Sequence, residues 1–193
     1  MSNYNGRKKF AITINSPVVL GFAAICAIAL LLNGLTGGLT NSLIFSVYRS
    51  PLTNLLTYVR FFGHIFGHGS VSHLINNMMF ILVIGPMLEE KYGSRDIAWV
   101  IGVTALVTGI VHFIFFPGVA LLGASGVVFA FILLASLTGL REREIPLTFV
   151  LVALLYLGEQ LYEGIFVADN VSQLTHIIGG CVGATVGFRI NRR

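Results

Sequence analysis

The sequence has 193 residues, of which 55% are hydrophobic and only 10% are charged, and its mean hydropathy is +0.87. About a quarter of the residues of a typical soluble domain are charged, so this composition excludes a soluble fold and predicts an integral membrane protein. The formal net charge of +4 does not indicate nucleic-acid binding, because the basic residues are spread beside the apolar segments.

Six apolar segments follow one another along the chain, and each approaches the roughly 20 residues that a membrane-spanning helix needs. They cover residues 17–35, 71–88, 97–116, 120–140, 145–166 and 171–188. We therefore predict an all-α fold of six transmembrane helices, forming a single domain over residues 1–193. Cys26 and Cys181 both lie in apolar runs and are expected to be small core residues, with no disulfide or metal role.

The first loop, residues 36–70, is long and rich in apolar residues. It is too polar to span a bilayer and too apolar to lie in water. Short amphipathic helices in the membrane interface would fit this composition. The loop is therefore predicted to be embedded in the membrane.

The basic residues predict the orientation of the chain. If the N-terminus is cytoplasmic, ten of the twelve Lys and Arg residues fall on the inner side. Only Arg49 and Arg60 then lie outside, both in the first loop. The prediction is N-in and C-in, with the protein in the plasma (inner) membrane of a prokaryote.

In this orientation the second, fourth and sixth segments all begin at the outer face, and those beginnings carry polar residues. The second has His73 and Asn77, the fourth has Ser125 and the sixth has His176. Counting 1.5 Å per residue from the segment starts places Ser125 and His176 roughly 5–10 Å inside the membrane. Ionisable residues at that depth are costly and are commonly functional.

These residue types suit acyl transfer. A serine hydroxyl needs a base to become a nucleophile, so Ser125 is the candidate nucleophile and His176 the candidate base. His73 and Asn77 are spaced i, i+4 and share a helix face, where they could stabilise an oxyanion together with the backbone N–H of Ser125. Taken singly, Ser125 could bond its own backbone, and Asn77 could join helices.

Glycines repeat every four residues in the sixth segment, at Gly179, Gly183 and Gly187. Such stripes allow helix backbones to approach closely. His176 lies one turn before Gly179, on about the same face. A neighbouring helix that carries a short serine side chain needs such an approach to reach the histidine.

The motifs together resemble those of the rhomboid intramembrane serine proteases, over residues from about 17 to 188. They are "GASG" (123–126), "IIGGCVG" (177–183) after a histidine, "HGSVSHLINN" (68–77), "RFFGH" (60–64) and "GPMLEEKYGS" (85–94). The resemblance implies a six-helix bundle, a membrane-embedded first loop and a Ser125–His176 dyad without a third acid. It implies oxyanion stabilisation by His73 and Asn77, and no metal or other cofactor. The partners would be the bilayer and a transmembrane protein substrate.

The resemblance also assigns secondary roles and has departures. It makes Glu89 and Lys91 part of a polar cluster, with Glu89 structural. Three positions differ from residues common in the family: Val59 precedes Arg60 where Trp is frequent, Phe129 stands where many members have Tyr, and Thr175 precedes the histidine where Ala is usual.

Other catalytic classes fit poorly. A zinc protease would show His-Glu-x-x-His, but no Glu lies between His64 and His68. Asp96 and Asp169 fall at segment ends on opposite sides, against an aspartyl protease, and Val127 breaks the Gly-x-Ser-x-Gly pattern of soluble hydrolases. Two alternatives stay open. The first is an inactive rhomboid-like protein that binds membrane helices. The second is a transporter, although no internal repeat is evident.

Overall fold

The computed structural model describes residues 13–138, 145, 147–152, 154–155, 158 and 170–190. These residues are mostly helical, and the part of the chain so described contains no β-strand beyond an isolated bridge between Val47 and Leu121. The predicted all-α class is confirmed. The longer helices are α1 (Pro17–Leu35), α2 (Leu55–Gly63), α3 (Val71–Tyr92), α4 (Ser94–Phe115), α5 (Ser125–Ser136) and α6 (Asn170–Ile190).

Three of these helices, α1, α3 and α4, are long and apolar enough to cross a membrane. Their outward faces carry large apolar side chains, for example Leu31, Val83 and Trp99, each more than 60% exposed. Apolar surface on this scale is stable only against lipid or a partner. The protein is therefore an integral membrane protein.

The fourth predicted segment needs a correction. A helix was expected from residue 120, but α5 begins at Ser125. Leu121 instead pairs with Val47 through two N–H···O bonds of 2.9 Å, and Gly123 has a φ of +134° that no helix accommodates. The depth of Ser125 therefore cannot be counted along a helix from residue 120.

The other predicted boundaries fall close to the observed ones where the structure describes them. The first coincides with α1, and the sixth lies inside α6. Residues 139–140 and most of the fifth segment, 145–166, lie outside the described residues. The expectation for Cys181 is wrong, since its side chain is exposed while Cys26 is buried. Cys181 lies two residues from Gly179 and Gly183, so it faces away from the side of α6 that they occupy.

One carboxylate joins the ends of three helices. Glu89, near the end of α3, accepts hydrogen bonds from the backbone N–H groups of Val18 and Val19 at 3.0 and 2.9 Å. The hydroxyl of Ser94, at the start of α4, donates to the same side chain at 2.6 Å. Glu89 thus satisfies N–H groups that α1 cannot satisfy itself, which fits the structural role expected for it.

The first loop folds into short helices, as predicted. A π-helical turn (Asn41–Phe45) precedes α2, and a 3₁₀ turn (His64–Phe66) follows it. Arg60 is buried beneath this loop. Its guanidinium donates to the Leu43 carbonyl at 3.0 Å and to the Ser50 hydroxyl at 3.2 Å, and lies 4.4 Å from the centre of the Tyr48 ring. These contacts of the buried cation hold the segment from Leu43 to Ser50 against α2.

The core surrounds α5. Phe131 and Leu134 of this helix are buried against α1, α3 and α4 in one apolar cluster. Gly85 of α3 admits this packing, because a Cβ placed there would lie 2.9 Å from the Val19 methyl groups. The remaining side of α5 is covered by α6.

Candidate active site

The start of α5 and the first half of α6 touch through their backbones. A Cβ added to Gly179 would lie 2.9 Å from the Cα of Gly126 and would overlap its carbonyl oxygen. One turn on, a Cβ at Gly183 would lie 2.6 Å from the Cα of Ala130. Gly187 faces Leu134 and Leu137. The three glycines of the stripe all lie on the side of α6 that meets α5.

The His176 ring lies against α5. Its centroid is 4.5 Å from that of Phe129, with the planes tilted by 42°. Phe129 is four residues after Ser125, so both project from the same face of α5. Phe129, one of the departures from the common family pattern, thus holds the imidazole over the face that carries Ser125. Both Ser125 and His176 are half-buried.

His73 reaches the segment just before α5. A Cβ on Gly123 would lie 2.9 Å from Nε2 and 3.0 Å from Cε1 of His73. Gly123 also has a positive φ, and its N–H donates to the His64 carbonyl at 2.9 Å. Only glycine meets both conditions. The His73 ring therefore lies beside Gly123, which precedes Ser125 by two residues in the chain.

Asn77 is buried one turn below His73, and its amide nitrogen already has two partners. It lies 3.2 Å from Nε2 of His68 and 3.2 Å from the backbone carbonyl of His73. Nδ1 of His68 lies 3.1 Å from the Phe66 carbonyl. A carbonyl can only accept, so Nδ1 carries the hydrogen and Nε2 accepts from Asn77. Both N–H groups of Asn77 are thereby engaged.

His68 is a residue whose role the sequence reasoning missed. It is fully buried, its ring centroid is 5.0 Å from that of His73, and its carbonyl accepts from the Asn41 side chain at 3.1 Å. Burial lowers the pKa of His68 to about 4, and the nearby His73 acts in the same direction, although the Phe66 carbonyl opposes it. The available signal was its place in the motif "HGSVSHLINN" (68–77), five residues before His73 and nine before Asn77.

The remaining histidines contact backbone. His112 of α4 lies 2.9 Å from the Val119 carbonyl and stacks on Phe116. His64 lies 3.1 Å from the Ala105 carbonyl. Within the described ranges no three His, Cys, Asp or Glu side chains are grouped to hold a metal ion.

The amide groups at the start of α5 complete the arrangement. The N-cap of α5 is Ala124, so the N–H groups of Ser125 and Gly126 have no acceptor within the helix. They lie at its positive end. N–H groups without an acceptor in the helix, a hydroxyl, two imidazoles and a buried amide are thus carried by three neighbouring elements, and these are the kinds of group that acyl transfer uses.

Comparison with known proteins identifies the family. The family model of the Rhomboid domain matches residues 56–193, more than two thirds of the chain. The chain belongs to the rhomboid family. The match contains His73, Asn77, Ser125 and His176, and the rhomboid resemblance of their motifs is confirmed.

Individual rhomboid relatives are distant. The chain is 29% identical over 144 residues to Rhomboid-related protein 2 of Mus musculus, an alignment that covers 68% of this chain and 47% of the relative. It is 28% identical over 133 residues to Rhomboid protease GlpG of Salmonella paratyphi A, covering 67% of this chain and 47% of that protein. The chain thus spans about half the length of these curated relatives.

Proposed function

We propose that this rhomboid protein is an intramembrane serine protease that hydrolyses peptide bonds in or near transmembrane segments of membrane proteins. The observation that carries the proposal is the backbone contact of Gly126 with Gly179, together with the Phe129–His176 ring contact. These contacts bring the helix start that bears Ser125 to the helix turn that bears His176.

In the proposed reaction, His176 takes the proton of the Ser125 hydroxyl as Oγ attacks the carbonyl carbon of the scissile peptide bond. The carbonyl oxygen becomes an oxyanion. The tetrahedral intermediate collapses, the C–N bond breaks and the leaving amine receives the proton from His176. Water then attacks the acyl-enzyme by the same route and releases the new carboxyl group.

The oxyanion would be stabilised by the free N–H of Ser125 and by His73, whose ring lies beside Gly123. Asn77 can contribute only by exchange, because both its N–H groups are engaged. Exchanging one acceptor for a charged one is favourable, since hydrogen bonds to ions are stronger than neutral ones. Asn77 would then act in the transition state more than in the resting enzyme.

The proposal includes the six-span, N-in and C-in topology, one domain over residues 1–193, a prokaryotic inner membrane and a site toward the outer face. The positions of Lys and Arg support this orientation. The substrate would be a transmembrane helix that unwinds locally, because helical hydrogen bonding shields the peptide bonds of an intact helix.

The decisive experiment compares Ser125→Ala, His176→Ala and the double variant with wild type in proteoliposomes that contain a single-span reporter protein. Each single variant should lose cleavage, and the double should be no worse, because the pair acts as a unit. Ser136→Ala is the matched control on the same helix, since its hydroxyl bonds the Leu133 carbonyl of that helix.

Labelling with a fluorophosphonate gives a second readout. Wild type should be labelled and Ser125→Ala should not. A wild-type protein that neither cleaves nor labels would overturn the proposal and support the inactive, helix-binding alternative. Cleavage by Ser125→Ala would also overturn it.

A further inference from the structure

An apolar groove lies on the side of the bundle formed by α1, α4 and the end of α2. Its volume is about 310 Å³. Gly21 and Ile25 of α1, Ala98 and Gly102 of α4, and Phe62 and Phe66 are among the residues that line it. None of the lining residues is charged or polar. The proposed catalytic residues lie elsewhere, on α3, α5 and α6.

Two of the glycines make this groove deep. A Cβ added to Gly21 or Gly102 would meet no atom within 4 Å. They differ in this from Gly179 and Gly183, where a Cβ would meet a neighbouring backbone. The glycines of the groove therefore leave space that no part of the described chain fills.

The lining and the length of the groove favour one kind of occupant. Pro17 and Ile25 both line the groove and are separated by roughly 12 Å along α1. A wholly apolar groove of that length accommodates a stretch of one extended hydrocarbon chain.

A basic residue lies near the start of α4, and three more precede α1 in the sequence. Arg95 is exposed and lies three residues before Ala98 and seven before Gly102, so it stands on the groove side of α4. Asp96 points about 100° away around the helix. Arg7, Lys8 and Lys9 precede Pro17 by eight to ten residues. The carboxylate of Glu89 is bonded by Val18, Val19 and Ser94. The cationic side chain of Arg95 is thus placed to meet an anionic group.

We propose that this groove binds an anionic phospholipid, with one acyl chain between Gly21 and Gly102 and the phosphate at Arg95. Basic residues near a membrane surface attract anionic head groups at about 1 kcal/mol each, which corresponds to about fivefold. The lipid would seal the gap between α1 and α4 and hold the two helices at a fixed separation.

The protein contains its own reporter. Trp99 is the only tryptophan, is 64% exposed and lies next to Ala98. Its fluorescence should be quenched by phospholipids with brominated acyl chains. In mixed vesicles, brominated phosphatidylglycerol should quench Trp99 with an apparent affinity about fivefold higher than brominated phosphatidylcholine at equal mole fraction.

Two variants and their controls separate the parts of the site. Arg95→Gln should abolish the preference for phosphatidylglycerol, whereas Arg189→Gln, an exposed arginine at the end of α6, should not. Gly21→Leu should fill the groove and remove the high-affinity quenching of Trp99 by brominated phosphatidylglycerol. It does so without altering the helix that carries Trp99. Gly34→Leu, also in open space on α1, should leave quenching unchanged.

Equal quenching by the two lipids in wild type would overturn the proposal, and so would a preference that survives both Arg95→Gln and Gly21→Leu. If Gly21→Leu instead changes the oligomeric state in detergent and leaves the lipid preference intact, the groove is a contact between copies of this chain. None of these measurements depends on proteolysis, so they stand apart from the test of Ser125.

Discussion

Two regions of the protein bring distant segments together by different means. Between α5 and α6 the contact is made by missing side chains, with Gly126 and Ala130 lying on the bare backbone of Gly179 and Gly183. In the first loop, polar side chains add hydrogen bonds, among them Arg60 to the Leu43 carbonyl and His68 to the Phe66 carbonyl. A Cβ added to Gly63 or Gly67 would also overlap backbone in this loop. Both regions should therefore be sensitive to added atoms, and the loop should in addition be sensitive to a lost side-chain hydrogen bond.

This difference matters because the proposed site depends on both regions. Ser125 and His176 come from the glycine interface, whereas His73 and Asn77 lie on α3, where Asn77 bonds His68 of the loop. Substitutions in the glycine interface should separate Ser125 from His176. Substitutions in the hydrogen-bonded loop should weaken oxyanion stabilisation while the dyad stays in place.

The largest effect is expected from Gly183→Val. Its side chain would lie where the Cα and carbonyl of Ala130 are, so α6 must move away and His176 must leave α5. We expect loss of detectable cleavage and at least about 3 kcal/mol of lost stability, the upper range for overpacking. The measurements are reporter cleavage and thermal unfolding in one detergent.

Cys181→Val is the matched control for this change. It introduces the same β-branched side chain two residues away on an exposed face, and should change both quantities little. Full activity in Gly183→Val would mean that the close contact is not needed for catalysis.

A smaller effect is expected from Asn77→Ala. Loss of one oxyanion donor lowers turnover by about 10²–10³-fold, and we expect the lower end, because Asn77 must first exchange a bond. The rate constant for reporter cleavage should fall with little change in KM. Asn76→Ala is the control, since Asn76 is exposed on the same helix. Equal turnover in the two variants would assign Asn77 a purely structural role.

Arg60→Lys should act on stability more than on turnover. Lysine cannot reproduce the forked contacts with Leu43 and Ser50 or the stacking on Tyr48. Leaving a buried acceptor unpaired costs about 1–3 kcal/mol, visible as a lower unfolding temperature. Arg49→Lys should cost less, because Arg49 is exposed, so water can replace its contacts with two backbone carbonyls and with the Phe113 ring. A reversed order would show that the loop does not depend on its buried cation.

The smallest expected effect is the pH dependence of the loop. The pKa of His68 lies near 4 in the folded protein and near 6.5 when unfolded. The unfolded chain therefore binds the proton first, and stability is complete above about pH 6.5 and falls as the pH drops toward 4. The slope contributed by His68 is at most about 1.4 kcal/mol per pH unit.

The unfolding temperature should be measured between pH 7 and pH 5 in wild type and in His68→Gln. The variant should show a shallower decline, whatever its stability at pH 7. Identical slopes would mean that His68 does not titrate differently in the two states.

The sequence predicts the parts of the fold that local composition determines. The uniform apolarity of α1 fixes its bounds, since Pro17 begins it and the glycines after Thr36 end it. The start of α5 was mispredicted because residues 120–124 are as apolar as the helix itself. What stops the helix there is pairing with Val47, more than 70 residues away, which no local pattern contains.

The candidate site divides in the same way. Residue type and spacing select Ser125, His176, His73 and Asn77 as candidates. They do not reveal that Asn77 donates to His68, because the tautomer of His68 is set by the Phe66 carbonyl in a tight turn. Likewise, Gly123 could be singled out as small, but the reason, a positive φ beside the His73 ring, is visible only in three dimensions.

The carboxylate of Glu89 bears on how the chain enters the membrane during synthesis. The first turn of α1 emerges from the ribosome about 70 residues before the side chain that accepts its N–H groups. Until Glu89 follows, water or lipid head groups can bond the N–H groups of Val18 and Val19. The arrival of α3 replaces those bonds with the carboxylate, and Ser94 adds α4 to the same junction. The junction of the first three long helices can therefore form only after all three have been synthesised.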